Sequence, residues 1–136
     1  MIESLQWVDA RAAIQSVIDG TTHDGHTVSA RYEQTADEYG QPVMDGVEVI
    51  VYDGIGGTIE WVDRLDELTL ECYAPRGETA KRVLDSVVAS LAGTNVPTPE
   101  GFLDTIRVRT APTDVPYQSP ILSKAIANIQ VISRPA

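Results

Sequence analysis

Residues 65–93, LDELTLECYAPRGETAKRVLDSVVASLAG, decide the fold, because the hydrophobic period changes partway through them. From Glu67 to Tyr73 the residues alternate: Leu68, Leu70 and Cys72 fall on one face, and Glu67, Thr69, Glu71 and Tyr73 on the other. Side chains of a strand point alternately to its two sides, so this pattern predicts a strand with one buried face. Pro75 has no N–H to offer a ladder, and Gly77 loosens the chain for a turn. From Glu78 the apolar residues Ala80, Val83, Leu84, Val87, Val88 and Leu91 recur at steps of three and four, which sets them on one stripe of a helix. Glu78 is expected in the first turn, where the helix dipole favours negative charge, and Gly93 as the stop. The two apolar faces must bury each other. That pair is the expected core.

Upstream, Ser4–Ile18 reads as a first helix, with Leu5, Val8, Ala12, Val17 and Ile18 near one stripe, Ser4 as N-cap and Gly20 past the end. Asp24-Gly25 is the strongest turn signal in residues 21–26, TTHDGH. Thr27–Glu33 alternates and Val47–Tyr52 is rich in β-branched residues, so both are expected strands. The polar QTADEYGQPVMDG between them reads as an exposed loop. Residues 53–64, DGIGGTIEWVDR, read as a glycine-rich connection with a short extended piece at Thr58–Val62. Downstream, TNVPTPEGF reads as loop. Thr105–Thr110 reads as a strand with Ile106 and Val108 opposite Arg107 and Arg109. The prolines of APTDVPYQSP should keep it extended but outside a sheet, and Ala125–Ile132 reads as the last strand. The order helix, three strands, helix, two strands predicts an α+β fold. It would have an antiparallel or mixed sheet of about four to five strands with two main helices packed against it, in one domain over residues 1–136.

The chain of 136 residues is 43% hydrophobic, enough for a globular core, and its single cysteine excludes an internal disulfide. The segment MIESLQWVDAR has neither a basic n-region nor an apolar h-region, so no signal peptide is expected, and no apolar run is long enough for a bilayer. The net charge of -10 is uneven: residues 1–68 hold 14 acidic and 3 basic side chains, residues 69–136 hold 6 and 7. The excess is densest from Glu33 to Glu67, where ten carboxylates face one base, Arg64. Such a surface repels phosphates and argues against sequence-specific nucleic-acid binding.

No catalytic, metal or cofactor constellation emerges from the residues. His23 and His26 sit in H-D-G-H without further ligands at a recognisable spacing, and read as solvated turn residues. The D-G-I-G-G run at Asp53–Gly57 follows a strand but lacks both the dinucleotide and the P-loop spacing. No G-x-S-x-G elbow is present, and Cys72 on the inward face of a strand suits an inert buried thiol. Arg107 and Arg109 are candidate subunit-interface residues that would meet acidic groups on a neighbouring copy.

The string DRLDELTLECYAPRGETAKRVLDSVVASLAG, followed by VPTPEGFLDTIRVRTAPTDVPYQSP and a hydrophobic terminal strand, resembles the tail terminator proteins of long-tailed, non-contractile bacteriophages, of the type infecting actinobacteria. The similarity runs from the first helix through the terminal strand. Its marks are Tyr73-Ala74-Pro75, Thr98-Pro99-Glu100-Gly101 and Val115-Pro116-Tyr117. The resemblance implies a structural virion protein, not an enzyme and without a cofactor, assembled in the host cytoplasm. It would form a hexameric ring at the head-proximal end of the tail, cap the tail tube protein, meet a head-completion protein and let genomic DNA pass without specific binding. On that basis Asp37, Glu38, Asp45, Asp53, Glu60 and Asp63 are candidate lumen or ring-face carboxylates. Two alternatives stay open: another head–tail connector or tail tube subunit, and a small acidic inhibitor that mimics DNA.

Overall fold

A computed structural model describes residues 7–33, 38–39, 46–53, 58–60, 63–75, 79–116 and 122–134. Helix α1 (Ala10–Ile18) leads into the hairpin β1 (Thr22–His23) and β2 (His26–Arg31), then β3 (Val47–Asp53), β4 (Thr58–Glu60) and β5 (Asp63–Pro75). Helix α2 (Thr79–Leu91) follows, and β6 (Gly93–Thr98), β7 (Gly101–Val115) and β8 (Leu122–Ser133) close the chain. The strands form one sheet in the order β1-β2-β3-β5-β8-β7-β6, with β4 attached to β5 beyond the end of β3. Among the described residues the β2–β3 pair is parallel and the other pairs are antiparallel.

This overturns the α+β expectation of four to five strands. The described residues are mostly β, with 62% of them in strands, and the mixed sheet curls into a half-barrel. The curl shows in the packing, because α1 touches β2 and β3 on one flank and β6 on the other. Helix α2 lies against β5, β7 and β8. The extra strands come from segments that carry no hydrophobic alternation. TNVPTPEGF, expected as loop, supplies β6 and its turn into β7; Pro97 is tolerated because β6 is an edge strand paired with β7 alone. The first part of APTDVPYQSP, expected outside the sheet, is the end of β7. Pro112 falls where the β7–β8 register shifts between Thr110 and Thr113, a bulge that removes the need for its missing donor.

The core follows the alternation of β5. Leu68, Leu70, Cys72 and Ala74 are inaccessible and meet Val49 and Val51 of β3 and Ala125, Ala127 and Ile129 of β8 across the ladder. All six stripe residues of α2 are buried against that face. Helix α1 begins later than its apolar pattern suggests: Asp9, not Ser4, is the N-cap and accepts from the Ala12 N–H at 3.1 Å. Ser4 and Glu78 lie outside the described residues. Asp24 and Gly25 have φ of 51° and 78°, the two positive values that a type I′ hairpin turn requires. Gly101 has φ of 133°, and a Cβ there would stand 3.0 Å from a Val8 methyl, so the β6–β7 turn can close over Val8 only as glycine.

His23 corrects the expectation of a solvated turn residue, being only 8% exposed. Its Nε2 lies 2.8 Å from the Thr21 hydroxyl and its Nδ1 2.8 Å from the Ser86 hydroxyl of α2. The Thr21 hydroxyl donates to the Ile18 carbonyl, so it accepts from Nε2–H, and Nδ1 accepts from Ser86. Burial lowers the imidazole pKa, in keeping with a neutral ring that ties the β1–β2 hairpin to α2.

Candidate functional site

Of the six candidate carboxylates, the described side chains are those of Glu38 and Asp53. Asp37 and Asp45 lie outside the described residues, and Glu38 is exposed in a turn. Asp53 ends β3 and is exposed; Glu60 and Asp63 are register partners where β4 meets β5. Other carboxylates of the same stretch are built into the sheet. Glu48 is 5% exposed and pairs with Arg31 at 3.0 Å, and Glu67 accepts from the Gln130 amide at 3.1 Å.

Asp53 does belong to a polar cleft of about 310 Å³, together with Trp7, Asp9, Arg11, Arg64 and Asp66. The β5 alternation explains it: Arg64 and Asp66 share the inward face of Leu68 and Leu70, at the end of the sheet where α1 begins. Arg64 Nε donates to Asp66 Oδ1 at 3.1 Å, while Asp66 Oδ2 is buried with no hydrogen-bond partner among the described residues. Asp9 and Asp66 are not among the carboxylates expected at a functional surface. The signal was present, since carrying the period of two back from Leu68 sets two charged residues at inward positions.

Burial raises the Asp66 pKa, Asp53 and Asp9 add to the rise, and Arg64 opposes it. The folded chain therefore takes up this proton more readily than the unfolded one. The penalty is full above the raised pKa, shrinks as pH falls through it and is gone below the unfolded value. Asp66→Asn removes the desolvated charge and is accordingly expected to stabilise the protein at pH 7. Thermal melts at pH 7 and pH 4 check this; the gap between the two proteins should narrow at the lower pH.

The second surface is β7. Arg107, Val108, Arg109, Thr110 and Ala111 are all exposed, five residues in a row, so neither face of this part of the strand is covered. The expected alternation fails here: Ile106 is 2% exposed but Val108 39%, with the register shift immediately after it. Neither Arg107 nor Arg109 forms an ion pair with a described residue. Near the start of β7, Phe102 is 67% exposed.

Among the described residues no group of three or more His, Cys, Asp or Glu is placed to hold a metal ion. Cys72 is inaccessible, and burial pushes its thiol up to about 12, leaving no thiolate at neutral pH. No described helix is long and apolar enough to cross a membrane. Compared with known protein families and with characterised proteins, the chain finds no match.

Proposed function

We propose that this chain is a ring-forming structural subunit, a tail terminator that caps a phage tail tube, stops its growth and joins it to the head-completion proteins. The observation that carries the proposal is the bare, arginine-bearing middle of β7, set on the opposite flank of the sheet from the acidic β3–β4 region. Two unlike and complementary surfaces on one subunit suit a head-to-tail contact, which closes into a ring when the rotation permits. Hexamer number, tube binding and DNA passage come from the resemblance of Tyr73-Ala74-Pro75, Thr98-Pro99-Glu100-Gly101 and Val115-Pro116-Tyr117 to the terminator pattern. The internal bonding of Glu48, Asp66 and Glu67 weighs against a DNA mimic, which would hold its carboxylates outward like phosphates.

The test is to mix the protein with its tail tube protein and measure tube length by negative-stain microscopy. Shortened, capped tubes with a ring at one end are expected. Arg107→Glu with Arg109→Glu should leave the fold intact, since both side chains are exposed, and abolish capping. Tubes of unchanged length with the parent protein would sink the terminator reading.

A further inference from the structure

The middle of β7 is bare along its edge as well as on its faces. Strand β6 pairs with β7 only from Gly101 to Ile106, whereas β8 pairs with β7 on the other side from Thr105 to Val115. From Arg107 onward, the β7 flank away from β8 has no strand partner among the described residues. The opposite lateral edge is treated differently. Beyond β1, the outer side of β2 is closed by the chain leaving α1: Val28 and Thr21 share a backbone bond at 2.8 Å, the Gly20 N–H donates to the Val28 carbonyl at 2.8 Å, and the Asp19 carboxylate accepts from the Ala30 N–H at 3.0 Å. A second edge lies on β4, which among the described residues pairs with β5 alone.

We infer that a second copy of this chain adds its β4 edge to the β7 edge of the first, so that the sheet runs on from subunit to subunit. An unpaired strand edge offers a row of N–H and C=O groups, and what satisfies it is another extended backbone. Chemistry selects the copy. The β7 edge carries Arg107 and Arg109, and the sequence beside the β4 edge is acidic, with Asp53 exposed at the end of β3 and Glu60 and Asp63 at the β4–β5 pairing. Each edge also exposes one large apolar side chain, Val108 at 39% and Ile59 at 60%, and each would cover the other. Within one copy the two edges cannot meet, because β5 and β8 stand between them in the order β4-β5-β8-β7. The contact is therefore heterologous and propagates. Arginines on a bulged edge would serve against indiscriminate pairing while admitting an acidic partner.

This inference deepens the proposed function and rests on it for a closed ring. The protein has one other cysteine, buried Cys72, so cysteine pairs report the contact cleanly. Ile59→Cys and Val108→Cys are each introduced alone, mixed and oxidised, and the double variant is oxidised by itself. A 59–108 dimer from the mixture and a ladder from the double variant are expected, together with slowed amide exchange over residues 107–115 at high protein concentration. Rings or capped tubes without the 59–108 bridge and without slowed exchange would overturn this contact and leave the terminator reading standing. A 59–108 ladder from a protein that never caps tubes would support the contact and sink the terminator reading. Dimers bridged 108–108 alone would overturn it, since they report an isologous contact.

Discussion

Val87→Asp is expected to abolish folding. Val87 lies in the middle of the α2 stripe, is inaccessible to solvent and belongs to the cluster that includes Leu70, Ile129 and Leu84. The other members of that cluster are apolar except the Cys72 thiol, so a carboxylate at this side-chain position is buried among groups that offer it no compensating charge. Burying an unpaired charge costs several kcal/mol even after the group shifts its pKa and neutralises. That is comparable to the whole stability of a domain, about 5–15 kcal/mol. Ala89→Asp, two residues along on the exposed side of the same helix, is the control and should change stability by no more than about 0.5 kcal/mol. Far-UV circular dichroism and thermal melts of the three proteins decide the matter. A soluble Val87→Asp protein with a normal cooperative melt would mean that the stripe is not the buried face.

The stretch carrying that helix was legible because two periods meet in it. A period of two marks the inward residues of β5, a period near 3.6 marks those of α2, and each run is long enough to be unambiguous. The rest of the sheet was not legible for the same reason in reverse. Strand β1 has two residues and cannot show a period, and β6 is exposed at most positions, so no burial writes an alternation into it. Strand β7 has the alternation broken by bulges, and its prolines read as breakers although edge and bulge positions accept them. The error in fold class was therefore one of unpatterned strands. With the surfaces it was different. Arg107 and Arg109 were identifiable as exposed strand cations, but the bare β7 edge depends on where β6 stops, which no local pattern encodes. The cleft at Asp66 was hidden by counting carboxylates as solvated charge; the period of two, carried two residues further back, would have found it.

The same distinction between counted and placed charge sets the last expectation, at Glu71. Its side chain projects from the outer face of β5, only 12% exposed, and lies 2.7 Å from the Lys124 ammonium, which is 21% exposed. The Tyr73 hydroxyl donates to the carboxylate at 3.1 Å and Tyr52 donates to it as well, while Lys124 also stands 5.4 Å from the Tyr73 ring centroid. Burial by itself would raise the Glu71 pKa, but the Lys124 ammonium and the two tyrosine hydroxyls outweigh it and hold the carboxyl below its ordinary value. Glu71→Leu removes the carboxylate and leaves the half-buried Lys124 ammonium without its counter-charge, at an expected cost of about 3 kcal/mol. Lys124→Met added to Glu71→Leu should recover most of that loss, because the outer face of β5 then holds no desolvated charge at this point. The pH dependence has a definite sign. Since the folded state holds Glu71 ionised more firmly than the unfolded chain does, its contribution is complete above the ordinary glutamate pKa of 4.5 and is lost as pH falls through the lowered folded value. Urea melts at pH 7 and pH 3 should therefore show the parent losing more stability on acidification than the double variant. Equal stability of the single and double variants at pH 7 would mean that the Glu71–Lys124 pair is not coupled in solution.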